Sequence, residues 1–187
     1  MRRRDVLVAV GAVGLAGTAI GAGALRPTPP DATLVDDRGR PLRFDALVAE
    51  RTVAINFIFT GCASFCPPQT AIFRAVRERW GELGHLPRPP LLLSISIDPF
   101  NDSPQAIAAY ARRYDLRLGV DAGWLILTGE VPQVERVLRA FGTGTGAAPQ
   151  DHAPQLWVGT PARGRWLASS GMPAAADVLR MMREVGA

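Results

Sequence analysis

Two apolar runs most constrain what this chain can fold into. Residues 52–60, TVAINFIFT, and residues 91–97, LLLSISI, lack the polar alternation of a strand that has one face in water. Such runs are typical of strands buried on both faces. Between them, residues 67–80 open with two prolines, which suit a first helical turn, and then repeat apolar side chains at helical spacing. The sequence therefore predicts two central strands separated by a helix.

The alternation of strands and helices continues along the chain. A DDRG turn joins short extended pieces at residues 33–35 and 41–43, which indicates a hairpin. Ser103 followed by Pro104 predicts the start of a second connecting helix. The remaining predicted elements are a strand at residues 124–129, a helix around Val134 to Phe141, a hairpin at 155–159 and 165–169, and a closing helix around Val178 to Val185. This order predicts an α/β protein of thioredoxin-like fold, with a central mixed sheet flanked by helices.

The amino terminus differs in composition from the rest of the chain. Arg2, Arg3 and Arg4 precede an uncharged stretch, residues 6–25, which is long enough to span a bilayer. A proline-rich segment follows at residues 26–32. We interpret residues 1–25 as an export signal or a membrane anchor, 26–32 as a linker and 33–187 as one domain. Either interpretation predicts an extracytoplasmic domain, on the periplasmic side, that is released or tethered.

The charge distribution argues against nucleic-acid binding. The formal net charge is +4, but the first five residues contribute +2 of it. The remaining arginines are scattered among acidic residues and form no basic stripe. We therefore expect no nucleic-acid partner.

The two cysteines of the chain, Cys62 and Cys66, are separated by three residues and followed by proline. Because a residue before proline is disfavoured in the α region, we expect the pair on the loop after the first central strand, with Cys66 at the mouth of the helix. Backbone amides and the helix dipole favour a thiolate there. A stabilising disulfide, a redox-active dithiol and part of a metal site are the three interpretations. A disulfide closing so small a loop contributes little stability through chain entropy.

His152 is the candidate third ligand of a metal site. It lies at the end of a glycine-rich loop, directly before a predicted core strand, and in a thioredoxin-like sheet that position is next to the cysteine loop. His85 lies in a polar turn, and we expect it on the surface. Two thiolates and one imidazole form a soft, three-coordinate set that suits copper, above all Cu(I). Asp98 and Asp151 are candidates for supporting positions around the ligands.

Four segments together resemble the Sco (SenC) family, thioredoxin-fold copper chaperones of cytochrome c oxidase assembly. They are FIFTGCASFCPPQ, SISIDPFNDSPQAIAAYA, WLILTGEVPQVERVLRAFG and DHAPQLWVGTPARG, in the family's order. The resemblance implies that Cys62, Cys66 and His152 are copper ligands and that Asp98 is the family's strand-end aspartate. It also implies an extracytoplasmic domain held by an amino-terminal anchor.

Two functions use the same residues. In the first, a copper chaperone binds the metal through Cys62, Cys66 and His152 and passes it to a cytochrome c oxidase subunit or another cuproprotein, with reversible thiol oxidation as a gate. In the second, a thiol-disulfide oxidoreductase uses Cys62 and Cys66 to reduce the copper-ligand cysteines of a client. The methionines at 172, 181 and 182 are interpreted as core or helix filling rather than as a copper-binding set.

Overall fold

The computed structural model of the protein describes residues 26–143 and 153–187. Its strands and α-helices alternate as the sequence predicted. In chain order they are β1 (Thr33–Val35), β2 (Pro41–Arg43), α1 (Phe44–Val48), β3 (Val53–Ile58), α2 (Cys66–Glu78), β4 (Leu91–Ser96), α3 (Pro104–Arg113), β5 (Trp124–Leu127), α4 (Val131–Ala140), β6 (Gln155–Thr160), β7 (Arg165–Ser170) and α5 (Ala175–Gly186). A short 3₁₀ helix, Trp80–Leu83, follows α2.

The central sheet has five strands in the order β5-β4-β3-β6-β7. β3 pairs with β4 and β4 with β5 in parallel, while β6 and β7 are antiparallel. The mixed sheet and the α/β class are therefore confirmed. β1 and β2 form a separate hairpin, which meets the main sheet where Val35 bridges Thr128.

Buried side chains fill both faces of the sheet. On one face, Phe57 packs with Phe44 of α1 and Phe141 at the end of α4. On the other face, Ala54 lies among side chains of α2 and α5, such as Phe73 and Met182. All six residues of β3 and all six of β4 are buried, which is why their sequences are apolar runs without alternation.

The local signals at element ends also match the structure. The Ser103 hydroxyl accepts a hydrogen bond from the Ala106 amide at 3.2 Å, so Ser103 caps α3 as predicted. Gly164, with φ of 60°, completes the turn between β6 and β7. The short helix α1 is an element that the sequence patterns did not predict.

The described part of the predicted linker, residues 26–32, contacts the domain. Ala32 is buried, and its carbonyl accepts a hydrogen bond from the Phe44 amide at 2.8 Å. Within residues 26–143 and 153–187, the helices are all too short or too polar to cross a membrane. The predicted signal or anchor at residues 1–25 lies outside the described residues.

Candidate copper site

The cysteine pair lies where β3 ends and α2 begins. β3 ends at Ile58, and the Cys62 amide then donates to the Phe59 carbonyl at 3.1 Å, which closes a turn. α2 begins at Cys66. The two prolines that follow have no backbone N–H, which suits a first helical turn, where amides have no acceptor within the helix. Cys62 lies in the turn before the helix, as predicted, whereas Cys66 is the first helical residue and not part of the loop, despite the proline that follows it.

Both thiols are free and buried in this structure. The exposed fraction is 7% for Cys62 and 4% for Cys66. The Cys66 amide donates to the Cys62 sulfur over an N–S distance of 3.3 Å, and the Ser64 hydroxyl oxygen lies 3.8 Å from the same sulfur. The amino terminus of α2 therefore stabilises negative charge on the Cys62 sulfur.

The pKa values of the two thiols shift in opposite directions. Burial opposes ionisation of Cys62, but hydrogen bonds from the Cys66 side chain and from the amides of Cys66, Ser64 and Phe65 outweigh it and lower the pKa of Cys62. Burial raises the pKa of Cys66 to about 12, and its hydrogen bond to Cys62 contributes to the rise. The sequence pointed to Cys66 as the residue at the helix mouth. The structure shows that the Cys62 sulfur accepts the hydrogen bond from the first backbone amide of that helix.

We expect iodoacetamide to alkylate Cys62 before Cys66 in the folded, reduced protein. Since the thiolate is the reactive form, the rate at Cys62 rises as pH increases through its lowered pKa and levels off at a lower pH than for an ordinary cysteine. Cys66 stays protonated over that range. Site-resolved mass spectrometry at several pH values measures both rates, with urea-unfolded protein as the control. Faster alkylation of Cys66 in the folded protein would contradict this order.

A cavity of about 240 Å³ opens beside the two thiols. Its polar lining comes from the cysteines, Ser64 and Gln69. The rest of the wall is formed by Phe57, Phe59, Gly61, Ala63, Phe65 and Pro154. Soft sulfur donors in a largely apolar cavity suit a soft metal ion better than Mg²⁺ or Ca²⁺, which prefer oxygen ligands.

The structure places the other predicted site residues as follows. His152 and Asp151 lie outside the described residues, although Pro154, two positions after His152, is in the cavity wall. Asp98 follows β4 at the same edge of the sheet, and its carboxylate accepts hydrogen bonds from Asn101 at 2.8 and 3.0 Å. It is not among the residues that line the cavity. His85 is exposed, as expected.

The part of the chain that the structure describes contains no cluster of three or more His, Cys, Asp or Glu side chains able to hold a metal ion. His152, the predicted third ligand, lies outside that part of the chain, so its role stays a prediction.

Two polar residues near the cysteines were not predicted. Asp102 is buried and accepts hydrogen bonds from Thr60 and Ser96. Gln69 is also buried and lines the cavity, and its side-chain oxygen has no hydrogen-bond partner among the residues that the structure describes. The sequence signal for Asp102 was its position between a buried strand and the Ser103 helix cap. Asp98, in the same segment, was predicted as the supporting residue instead.

Three large apolar side chains are exposed in the described residues: Phe65, Phe100 and Met172. Phe65 is in the cavity wall, Phe100 is in the loop after β4, and Met172 follows β7 at the edge where β3 ends. The prediction that Met172 fills the core or a helix is wrong, because its side chain is 45% exposed in the segment between β7 and α5. Met181 and Met182 are buried, as predicted. The exposed apolar side chains thus lie at the same edge of the sheet as the cysteines.

Comparison with curated proteins identifies relatives with moderate identity. The chain is 34% identical over 122 residues to the mitochondrial protein SCO2 homolog of Bos taurus. This match covers 65% of this chain and 42% of the relative. It is 31% identical over 97 residues to the SCO1 protein homolog of Bacillus subtilis, covering 52% of this chain and 47% of the relative. The matches thus span less than half the length of these relatives.

Solved structures share the fold at lower identity. BsSco, described as a member of the Sco family of cytochrome c oxidase assembly proteins with a disulfide switch, superposes with a TM-score of 0.66 at 21% identity, covering 86% of this chain and 96% of BsSco. Yeast Sco1, solved with copper bound, gives 0.61 at 20% identity, with coverages of 84% and 90%. These matches confirm the thioredoxin-like fold.

The family comparison covers most of the domain. The SCO1/SenC family model matches residues 26–156, which include both cysteines, Asp98, Asp102 and His152. The matched range extends from the linker to the first residues of β6. The chain therefore belongs to the SCO1/SenC family.

Proposed function

We propose that this chain binds copper through Cys62, Cys66 and His152 and delivers it to a copper site of a cytochrome c oxidase subunit or another cuproprotein. The observation that carries the proposal is the pair of free thiols at the start of α2, on a cavity whose wall includes Pro154. Family membership supports it, since yeast Sco1 was solved with copper bound. Copper is cargo in this function rather than a permanent cofactor.

The donor atoms favour Cu(I). Thiolates are soft ligands, and two of them with one imidazole give a three-coordinate set that suits Cu(I). Pro154, two positions after His152 in the sequence, borders the cavity, which supports His152 as the third ligand. Asp151, its sequence neighbour, is the candidate hydrogen-bond acceptor for the imidazole, and Asp98 is a second candidate for a supporting role.

Transfer of copper requires a partner to approach the thiols directly. The cavity opens to solvent, Phe65 is exposed in its wall, and Met172 is exposed at the same edge of the sheet. Exposed apolar side chains around a functional site are typical of a contact surface for another protein. A client that contributes its own copper ligands would replace Cys62 and Cys66 one at a time by ligand exchange.

The test is an anaerobic titration of the reduced protein with Cu(I) in competition with a chromophoric chelator. We expect one tightly bound Cu(I) per chain and a loss of affinity of about a hundredfold in His152→Ala, because a direct ligand contributes at least as much as the supporting partners of a metal site. His85→Ala is the matched control, since His85 is exposed in the loop before β4 and does not line the cavity. Equal affinity in His152→Ala and His85→Ala would defeat the assignment of His152.

A thiol-disulfide oxidoreductase is the second candidate, favoured by the opposite pKa shifts of the two thiols. The Cys62 thiolate would attack a client disulfide, and Cys66 would then resolve the mixed disulfide. The client leaves as a dithiol, the Cys62–Cys66 disulfide remains, and an external dithiol reductant regenerates the pair. Reduction of a copper-site peptide disulfide at the same rate by wild-type protein and Cys62→Ser would reject this function.

We also propose that the domain functions outside the cytoplasm, on the periplasmic side, as an exported or membrane-tethered protein. The basic residues at positions 2–4 followed by the uncharged stretch at 6–25 support this location. Fractionation of cells that express the full chain measures it. Recovery of the protein in the cytoplasmic fraction alone would reject the proposal.

A further inference from the structure

Asp102 is a buried carboxylate that lies between the ends of two central strands. Its exposed fraction is 1%. The Thr60 amide donates to its two oxygens at 3.0 and 3.2 Å, the Thr60 hydroxyl donates at 2.5 Å and the Ser96 hydroxyl donates at 2.6 Å. Within the described residues no arginine lies within ion-pair distance of it. Because a buried carboxylate is costly unless it is well hydrogen-bonded, these contacts account for its position.

Both donors to Asp102 stand at strand ends next to the cysteine loop. Ser96 is the last residue of β4, and Thr60 lies two residues after the end of β3. Thr60 is also the second residue of the turn that the Cys62 amide closes on the Phe59 carbonyl. Asp102 thus binds the backbone of that turn at one side and β4 at the other.

We propose that Asp102 is a positioning residue that fixes the turn at residues 59–62. The fixed turn keeps the Cys62 sulfur within hydrogen-bond distance of the Cys66 amide. The proposal concerns the metal-free thiols and does not depend on copper binding.

A charged acceptor suits this role better than a neutral one. Hydrogen bonds to a carboxylate are shorter and stronger than those between neutral groups, and a carboxylate accepts several donors at once. Thr60 uses both its amide and its hydroxyl on Asp102, so its backbone and its side chain are held together. Loosening these contacts frees the turn, while the sheet keeps its own ladder of backbone hydrogen bonds.

Two substitutions weaken the contacts in different ways. Asp102→Asn leaves one acceptor oxygen where there were two, so one of the donors loses its acceptor. Thr60→Val keeps the shape and the amide of Thr60 but removes its hydroxyl. Thr60→Ser restores the hydroxyl and is the matched control.

Two measurements on the reduced, metal-free full-length protein report on the turn. Site-resolved alkylation gives the ratio of the Cys62 rate to the Cys66 rate, and NMR hydrogen exchange gives the protection of the Cys62 amide. We expect the ratio to fall by about tenfold in Asp102→Asn and Thr60→Val, the factor that corresponds to losing one hydrogen bond to a charged group, with faster exchange of the Cys62 amide. Thr60→Ser keeps the wild-type values. Amide protection in β7, which does not pair with β3, stays unchanged in all three variants.

A folded Asp102→Asn or Thr60→Val protein with the wild-type ratio and wild-type Cys62 protection would overturn the proposal, and so would an equal loss in Thr60→Ser. If Asp102→Asn fails to fold, the pair Thr60→Val and Thr60→Ser decides alone, because Thr60 is only half-buried in a loop. The copper titration is a separate result. A wild-type protein that binds no copper refutes the proposed function, yet the two apo-protein measurements still test Asp102.

Discussion

Replacing Cys62 or Cys66 with serine is expected to lower the affinity for Cu(I) by more than about a hundredfold. Partners that only support a metal ligand are worth 10–100-fold, so the loss of a ligand atom costs more. A hydroxyl is also a hard, neutral donor at the pH where a thiolate is soft and charged. Competition with a chromophoric Cu(I) chelator, on reduced protein without oxygen, measures the change.

Ser64→Ala is the matched control for both variants, because Ser64 lies between the cysteines and its hydroxyl is 3.8 Å from the Cys62 sulfur. We expect it to bind Cu(I) within a small factor of the wild-type protein. Wild-type affinity in Cys62→Ser or Cys66→Ser would remove that cysteine from the ligand set. A loss of equal size in Ser64→Ala would show that the loop, not the thiols, determines binding.

The second large effect concerns the stability of the fold. Phe141 is fully buried, and its ring packs against Phe44, Phe57, Trp157 and Trp166 at centroid distances of 5.3 to 6.2 Å. Phe141→Ala is expected to lower the free energy of unfolding by about 3–5 kcal/mol, because it leaves a cavity within this cluster. Equilibrium unfolding in urea, monitored by circular dichroism, measures it.

Phe100→Ala is the control for that experiment, since Phe100 is 83% exposed. It removes the same number of atoms from a side chain that buries little surface, so we expect a change within about 0.5 kcal/mol. Similar losses in the two variants would contradict the core described for this fold.

Most of the fold follows from local sequence patterns. The runs at residues 52–60 and 91–97 match β3 and β4 within two residues, because strands buried on both faces need uninterrupted apolar sequence. The helix α1 escaped prediction because its five residues are too few to show a helical period.

The details of the site depend on contacts between distant segments, which local patterns do not show. The cysteines were predicted between the first central strand and the helix, where the structure has them. Which sulfur accepts the hydrogen bond from the helix amide depends on the turn at residues 59–62. Asp102 was missed because its donor Thr60 is 42 residues away in the sequence, and nothing in the segment around Asp102 indicates that contact. Asp98 carries the same charge and the same sequence neighbourhood, yet it contacts Asn101.

The most direct test of the copper assignment is the X-ray absorption spectrum of the reduced protein loaded with one equivalent of Cu(I), compared with that of His152→Ala. The account predicts two sulfur scatterers and one imidazole nitrogen in the wild-type protein, and loss of the imidazole signal in the variant with both sulfurs kept. A wild-type spectrum with sulfur alone, or an imidazole signal that persists in His152→Ala, would contradict the proposed ligand set.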